Sequence, residues 1–96
     1  MKRPGAFRFR LYIAGDAVNS AQALANLQAL CRAHLPDRHT IDVVDVFHHP
    51  RRALDDGIFM TPMLLKLAPG PPRRIVGTLG DTATVLQALD LHTVAA

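Results

Sequence analysis

The sequence predicts an α/β fold with the element order β-α-β-α-β-β-α and a four-stranded mixed sheet. Runs of alternating or β-branched apolar residues, typical of strands, are interleaved with apolar residues spaced by three and four, typical of helices. Two strands joined by a helix should be parallel, through a right-handed crossover. The last two strands are separated only by the turn Pro-Gly-Pro-Pro at 69–72, so they should form an antiparallel hairpin.

The first two strands are predicted at residues 7–14 and 39–47. In the first, apolar and polar side chains alternate, which indicates one buried face and places Tyr12 on the exposed one. The second is rich in β-branched residues and is typical of a buried strand. Asp45 interrupts its apolar face, and we expect it either to cap the end of the sheet or to belong to a binding surface.

The long helix between these strands is predicted at residues 20–35. Its apolar residues recur at spacings of three and four, which makes one stripe that includes Cys31. Either Asn19 or Ser20 could cap the helix N-terminus, because both side chains accept hydrogen bonds from backbone N–H groups. Pro36 should end the helix.

A short second helix is predicted to start at Pro50, with His49 as its N-cap, and to end at Gly57. Thr61 and Pro62 follow, just before the third strand. Proline cannot donate a hydrogen bond to a neighbouring strand, and an X-Pro bond is the one place where a cis peptide is readily adopted. We predict that the Thr61-Pro62 bond is cis and that this proline marks the start of the second half of the sheet.

The hairpin and the last helix complete the chain. The third and fourth strands are predicted at residues 63–68 and 73–79. Asp81 is a good N-cap for the last helix, whose apolar side extends to His92. This order, with helices on both faces of the sheet, is the thioredoxin-like arrangement.

Length and composition indicate one domain over residues 1–96, with 1–6 and 93–96 expected to be disordered. Hydrophobic residues make up 49% of the chain, enough for one core. The net charge of +3 is too small to suggest a nucleic-acid partner. The sequence shows neither an apolar run long enough to cross a membrane nor a leader peptide, so we expect a cytoplasmic protein.

Catalytic and metal sites are not expected, and we predict no cofactor. Thioredoxin chemistry needs a thiol at the start of the first helix, whereas Cys31 lies about three turns later on the apolar stripe. A glutathione-dependent or redox enzyme is the alternative function, with Ser20 or Tyr12 as the reactive hydroxyl. The adjacent His48 and His49 should point apart, which does not suit metal ligands.

The predicted hairpin carries a concentration of basic side chains. Arg73 and Arg74 lie on the fourth strand, and Lys66 lies on the third. Such charges often protect an exposed sheet edge against aggregation. An anionic protein partner is the second interpretation, and composition does not choose between them.

Several segments, in order, resemble the KaiB family of circadian clock proteins. They are the opening strand and loop (LYIAG with NS at 19–20), the second strand (IDVVDVFHHP), the Thr-Pro pair, the segment PGPPRRIVGTLGD at 69–81, and the helix end LQALDL at 86–91. The resemblance covers residues 7–91 and identifies the chain as a member of this family.

The resemblance implies a non-enzymatic adaptor that binds KaiC, a hexameric P-loop ATPase. It also implies a homo-oligomer, a dimer or tetramer, and a second, ground-state fold in which the C-terminal half is rearranged. The partner surface that it implies comprises Tyr12, Lys66, Pro71, Arg73 and Arg74. A sensor domain detached from a KaiB-like histidine kinase is a further reading, although the chain ends soon after the last helix, which favours a free-standing protein.

The chain departs from the family pattern at two informative positions. Asp42 stands where a lysine is common, and this charge reversal argues against a KaiA-type partner. Ala88 stands where a glycine is common in the last helix. Because alanine favours a helix over glycine by about 1 kcal/mol, we expect this chain to populate the thioredoxin-like state.

Overall fold

The computed structural model describes residues 6–91. Residues 1–5 and 92–96 lie outside the described residues, and so do the predictions made for them, namely disorder at both ends of the chain and the place of His92 on the last helix. The seven elements follow the predicted order, and their bounds are β1 Phe7–Ile13, α1 Val18–His34, β2 His39–Asp45, α2 Pro50–Asp55, β3 Met63–Ala68, β4 Arg73–Val76 and α3 Thr82–Ala88.

The four strands form one mixed sheet in the order β2-β1-β3-β4. Strand β1 is parallel to β2, through the crossover helix α1, and antiparallel to β3. Strands β3 and β4 form the expected antiparallel hairpin. This is the thioredoxin-like fold that the sequence predicts.

Each face of the sheet has its own apolar core. The larger core joins β1, β3, α1 and α3 around Phe9, Leu11, Leu27 and Leu64. The smaller core lies on the opposite face beneath α2, and its buried members are Tyr12, Val44, Ala53 and Leu65. The alternation of side chains along β1 therefore supplies both cores, because successive residues of a strand point to opposite faces.

Helix α1 begins two residues earlier than predicted, so the proposed caps are wrong. Ala17 is the N-cap residue, and no side chain caps this end of the helix. Ser20 lies inside the helix, 2% exposed. Its hydroxyl oxygen accepts a hydrogen bond from the backbone N–H of Ala14 over 3.0 Å, which ties the first turn of α1 to the end of β1.

Strand β2 is an edge strand rather than the buried strand that its composition suggests. Only Val44 is buried within it, and Val43 is 41% exposed. The sheet order explains the error, because a β-branched run does not reveal whether a strand has one neighbour or two. Strand β4 is also shorter than predicted, ending at Val76 before Gly77, whose φ is +110°.

The predictions for two helix caps and for the Thr61-Pro62 bond are confirmed, whereas β2 and α2 each end two residues earlier than predicted, at Asp45 and Asp55. His49 is the N-cap of α2, with Pro50 in its first turn. The Asp81 side chain accepts a hydrogen bond from the backbone N–H of Thr84 at the start of α3. The Thr61-Pro62 peptide bond is cis, and Pro62 is buried.

Leu27 tests the larger core. It is fully buried in α1, so we expect Leu27→Ala to lower the free energy of unfolding by about 2–5 kcal/mol through lost burial and an unfilled cavity. The matched control is Leu54→Ala on α2, where the side chain is 74% exposed and the expected change is below about 0.5 kcal/mol. Urea unfolding measures both, and equal losses in the two variants would contradict this assignment of the core.

Candidate partner-binding surface

The hairpin of β3 and β4 presents part of the expected basic surface. Pro71, Arg73 and Arg74 are exposed, as the resemblance requires of contact residues. Lys66 is only 2% exposed, so its expected place in a surface patch is wrong. Its side chain faces the larger core, where residue 66 shares the side of the sheet occupied by Leu64.

Arg73 and the buried Lys66 both contact the C-terminal end of α3. The guanidinium of Arg73 forms an ion pair with Asp90 over 3.1 Å. The ammonium of Lys66 lies 3.5 Å from the carbonyl oxygen of Leu89, 3.8 Å from the Asp90 carboxylate and 5.8 Å from the centre of the Phe7 ring. Cations suit this position because the carbonyl end of a helix is partially negative.

Arg74 holds a different helix on the opposite face of the sheet. Its guanidinium donates hydrogen bonds to the backbone carbonyl oxygens of Asp56 and Gly57, the latter over 3.3 Å. These carbonyls follow the last residue of α2. The paired arginines therefore point to opposite faces, and each fixes the C-terminal end of one helix.

Tyr12 is fully buried, so its expected place on the exposed face of β1 is wrong. Helix α2 covers it. The phenol oxygen lies 2.9 Å from the carbonyl oxygen of Arg52 and 2.5 Å from Oδ2 of Asp56. Burial, reinforced by the hydrogen bond to Asp56, raises the pKa of Tyr12 to about 12. In this fold Tyr12 anchors α2 and offers no surface to a partner.

Two arginines and two aspartates surround this phenol and connect α2 to the sheet. Arg10 forms ion pairs with Asp42 over 3.0 Å and with Asp56 over 3.1 Å, and Arg52 contacts Asp42 over 2.6 Å. The pKa of Asp56 is lowered by the hydrogen bond from Tyr12 and by Arg10. Burial opposes ionisation of Asp42, but its bonds to both arginines outweigh this effect and lower its pKa.

The surroundings of Cys31 and Ser20 do not suit redox chemistry, and the described residues do not form a metal site. Cys31 is buried, and burial raises the pKa of its thiol to about 11, which disfavours the reactive thiolate. Ser20 is also buried and its hydroxyl is hydrogen-bonded to the backbone. Within residues 6–91, no three histidine, cysteine or acidic side chains are grouped closely enough to hold a metal ion.

The end of the sheet that carries Pro62 has an apolar groove that the sequence did not predict. Phe47, Phe59 and Met60 stand exposed around it, at 71%, 90% and 56%. One available signal was the apolar run Ile-Phe-Met at 58–60, which precedes Thr61 and lies outside any predicted strand. Asp45, expected to cap the sheet or to bind, acts as a cap beside this groove and accepts hydrogen bonds from Gly15 N and Phe47 N.

A family model described as the KaiB domain matches residues 10–91. The chain belongs to the KaiB family. It is 42% identical over 82 residues to circadian clock protein KaiB3 of Synechocystis sp., which covers 85% of this chain and 80% of that protein. It is 40% identical to circadian clock oscillator protein KaiB of Synechococcus elongatus, over 85% and 80% of the two chains.

Solved structures confirm the fold class. The N-terminal domain of Synechococcus elongatus SasA superposes with a TM-score of 0.73 at 18% identity, covering 94% of this chain and 89% of that domain. Mitochondrial thioredoxin 3 from Saccharomyces cerevisiae superposes with a TM-score of 0.71 at 18% identity, covering 92% and 81%. The family assignment supports a clock-regulator role for this KaiB-family chain. Among the described residues, no helix is long and apolar enough to span a membrane.

The raised pKa of Tyr12 predicts how the stability of the protein changes at alkaline pH. Its pKa is raised in the folded protein from an ordinary value near 10 to about 12. The buried, protonated phenol therefore contributes fully to the free energy of unfolding below pH 10. This contribution is lost as the pH rises from 10 toward 12, because in that interval the phenol ionises readily only in the unfolded chain. We expect a loss on the order of 2 kcal/mol in the free energy of unfolding across this interval.

The Tyr12→Phe variant is the matched control for that titration. It lacks the phenol proton, so its stability should change less between pH 9 and pH 12 than that of the unmodified protein. Urea unfolding at half-unit pH intervals compares the two. Parallel pH profiles would show that the Tyr12 phenol has the same pKa in the folded and unfolded chains.

Proposed function

We propose that this KaiB-family chain is a cytoplasmic, non-catalytic regulator that binds a KaiC-type P-loop ATPase. The family assignment supports a regulatory role. The observation that carries the proposal is the exposed end of the hairpin, where Pro71, Arg73 and Arg74 lie at an open edge of the sheet. An open strand edge with exposed guanidinium groups suits a partner surface that carries carboxylates.

The buried positions of Tyr12 and Lys66 alter the expected contact surface. In the thioredoxin-like state both side chains support the sheet and the helices from inside, as their hydrogen bonds show. We propose that the direct contacts are made by Pro71, Arg73 and Arg74. Tyr12 and Lys66 affect the partner only through the stability of this state.

Charge reversal at the hairpin tests the proposed contacts. We expect Arg73→Asp with Arg74→Asp to weaken binding of the KaiC-type ATPase from the same organism at least tenfold, because attraction to carboxylates becomes repulsion. Isothermal titration calorimetry measures the affinity. The experiment is run at two salt concentrations, since the electrostatic part of the affinity should fall at the higher one.

The control keeps the same change in net charge but moves it elsewhere. Arg8 and Arg32 are exposed on β1 and α1, and Arg8→Asp with Arg32→Asp should leave the affinity nearly unchanged. Because Arg73 and Arg74 also bond to Asp90 and to the end of α2, the melting temperature of each variant is measured first. A folded Arg73/Arg74 variant that binds normally removes the arginines from the contact surface.

A glutathione-dependent or redox enzyme is the competing function, and it predicts different behaviour. The buried Cys31 and Ser20 lead us to expect no disulfide reductase or glutathione-conjugation activity above background. Glutathione at millimolar concentration should not raise the melting temperature, because a ligand stabilises only a folded state that binds it. The yeast thioredoxin serves as the positive control for the reductase assay, and activity that survives Cys31→Ser and disappears in Ser20→Ala would favour the enzyme.

A further inference from the structure

The outer edge of β2 is open to pairing with another strand. The sheet has two edge strands, β2 and β4. Strand β4 has only four residues, begins with two arginines and follows Pro71 and Pro72, and short, charged edges resist pairing. Strand β2 has seven residues, pairs with β1 in continuous register, and contains neither proline nor lysine. Its mid-strand charge, Asp42, is bound by Arg10 and Arg52 of the same chain, so it protects the edge poorly.

The backbone hydrogen bonds show which groups of β2 face outward. The carbonyl oxygen of Arg38 accepts from the first residue of β1 over 2.7 Å, and the N–H of Val46 donates to its last residue over 2.9 Å. Even-numbered residues therefore face β1, and odd-numbered residues face away, because backbone groups alternate in direction along a strand. The Asp45 carbonyl oxygen already accepts two hydrogen bonds from the turn that follows. The residues whose backbone groups face outward with that exception are His39, Ile41 and Val43.

Two copies of this edge are complementary in one antiparallel register, in which Ile41 lies opposite Ile41 of the second copy. His39 of each copy then lies opposite Val43 of the other, and each of these facing pairs exchanges two backbone hydrogen bonds. Thr40, which is exposed, lies opposite Asp42 of the second copy, where its hydroxyl can donate to the carboxylate. This register therefore uses every outward backbone group of the three central residues.

The neighbouring registers are less favourable. Pairing centred on Asp42 would place two carboxylates directly opposite each other, and like charges opposite one another destabilise a sheet. Pairing centred on Val43 would place Ile41 opposite Asp45, whose carbonyl oxygen is occupied by the turn. The edge is therefore most complementary to itself about a two-fold axis at Ile41.

A groove beside β2 leaves room for the side chains of a second copy. It has a volume of about 380 Å³ and lies between α1 and the start of β2, where Gln28, Arg32 and His39 line it. Ile41 packs against the larger core, so the odd-numbered side chains of β2 lie on the α1 side of the sheet. Opposite His39, the Val43 side chain of the second copy would enter this groove and lose its exposure to water, which is 41% in the single chain.

We propose that β2 of the thioredoxin-like state pairs with β2 of a second copy, antiparallel and about a two-fold axis at Ile41, so that the two sheets become continuous. Closed two-fold pairing is the commonest symmetry of soluble oligomers. The contact is smaller than the roughly 800 Å² per partner of a standard interface, so the dimer is weak and its population depends on protein concentration. The inference is independent of the ATPase and of the hairpin arginines.

Val43→Lys tests the edge. In the unmodified chain we expect the sedimentation coefficient to rise with protein concentration over a roughly hundredfold micromolar range. Val43→Lys should weaken self-association at least tenfold, because its ammonium would lie beside His39 and Arg32 of the second copy. Val76→Lys is the matched control, since Val76 is a half-exposed valine on the opposite edge of the sheet, and it should self-associate normally.

Val43→Pro is a second variant that tests the backbone pairing. It removes an N–H that faces away from β1, and proline is tolerated on an edge strand at such a position. We expect the same loss of self-association, and the melting temperature of every variant is measured first. A folded Val43→Lys or Val43→Pro variant that self-associates as the unmodified chain does would overturn the inference.

Disulfide trapping tests the register. In Ile41→Cys the two introduced thiols lie opposite each other, where facing Cα atoms are about 5.5 Å apart, within the range of a disulfide. Oxidised glutathione should therefore link the two chains on a non-reducing gel. In Val43→Cys the two thiols lie four residues apart along the paired strands, about 13 Å, and should not link. Cys31 is buried, so the unmodified chain should stay unlinked.

Three results would contradict this pairing. A chain that stays monomeric throughout the concentration range leaves the β2 edge to a strand of a different protein and overturns the inference. Loss of self-association in Val76→Lys alone places the contact at β4 instead. Linking in Val43→Cys without linking in Ile41→Cys overturns the register centred on Ile41. None of these results bears on binding of the ATPase, which is measured separately.

Discussion

Strand β1 pairs with β2 on one side and with β3 on the other, and the rest of this structure depends on this pairing. It is the one strand that joins the parallel half of the sheet to the antiparallel hairpin. Its alternating side chains also belong to two cores, with Phe9 and Leu11 on one face of the sheet and Tyr12 on the other. Helices α1 and α3 pack into the core that contains Phe9 and Leu11, and α2 covers the core that contains Tyr12.

Charged groups in this fold act mainly as connectors. Arg10, Arg52 and Asp56 join α2 to the sheet around the Tyr12 phenol, and Arg74 and Lys66 bind the carbonyl ends of α2 and α3. Helix α2 needs these bonds because Ala53 is its only buried residue. Its position then determines where the flanking segments, and with them the groove aromatics, are held.

The start of α1, where thioredoxin chemistry needs a thiol, has no cysteine in this chain. The buried proline and the loop before α1 are present, but the cysteine is buried far from them and apolar side chains occupy the surface instead. Desolvation of apolar groups and pairing of charges are the forces of protein recognition, and neither requires a reactive atom. The proposed regulatory role can therefore use the thioredoxin-like fold without a reactive cysteine.

Local sequence determined the strands and helices, their order, and the caps at His49 and Asp81, because each depends on residues close together in the chain. The sequence also placed Arg73 and Arg74 on the fourth strand. Tertiary structure alone decided that β2 is an edge strand, that Tyr12 and Lys66 are buried, and that Phe47 meets Phe59 across a groove. The physical reason is that burial depends on which distant element covers a residue. Tyr12 follows Arg8 and Arg10 on the polar side of the alternation in β1, as a surface residue would, but α2, forty residues later, covers it.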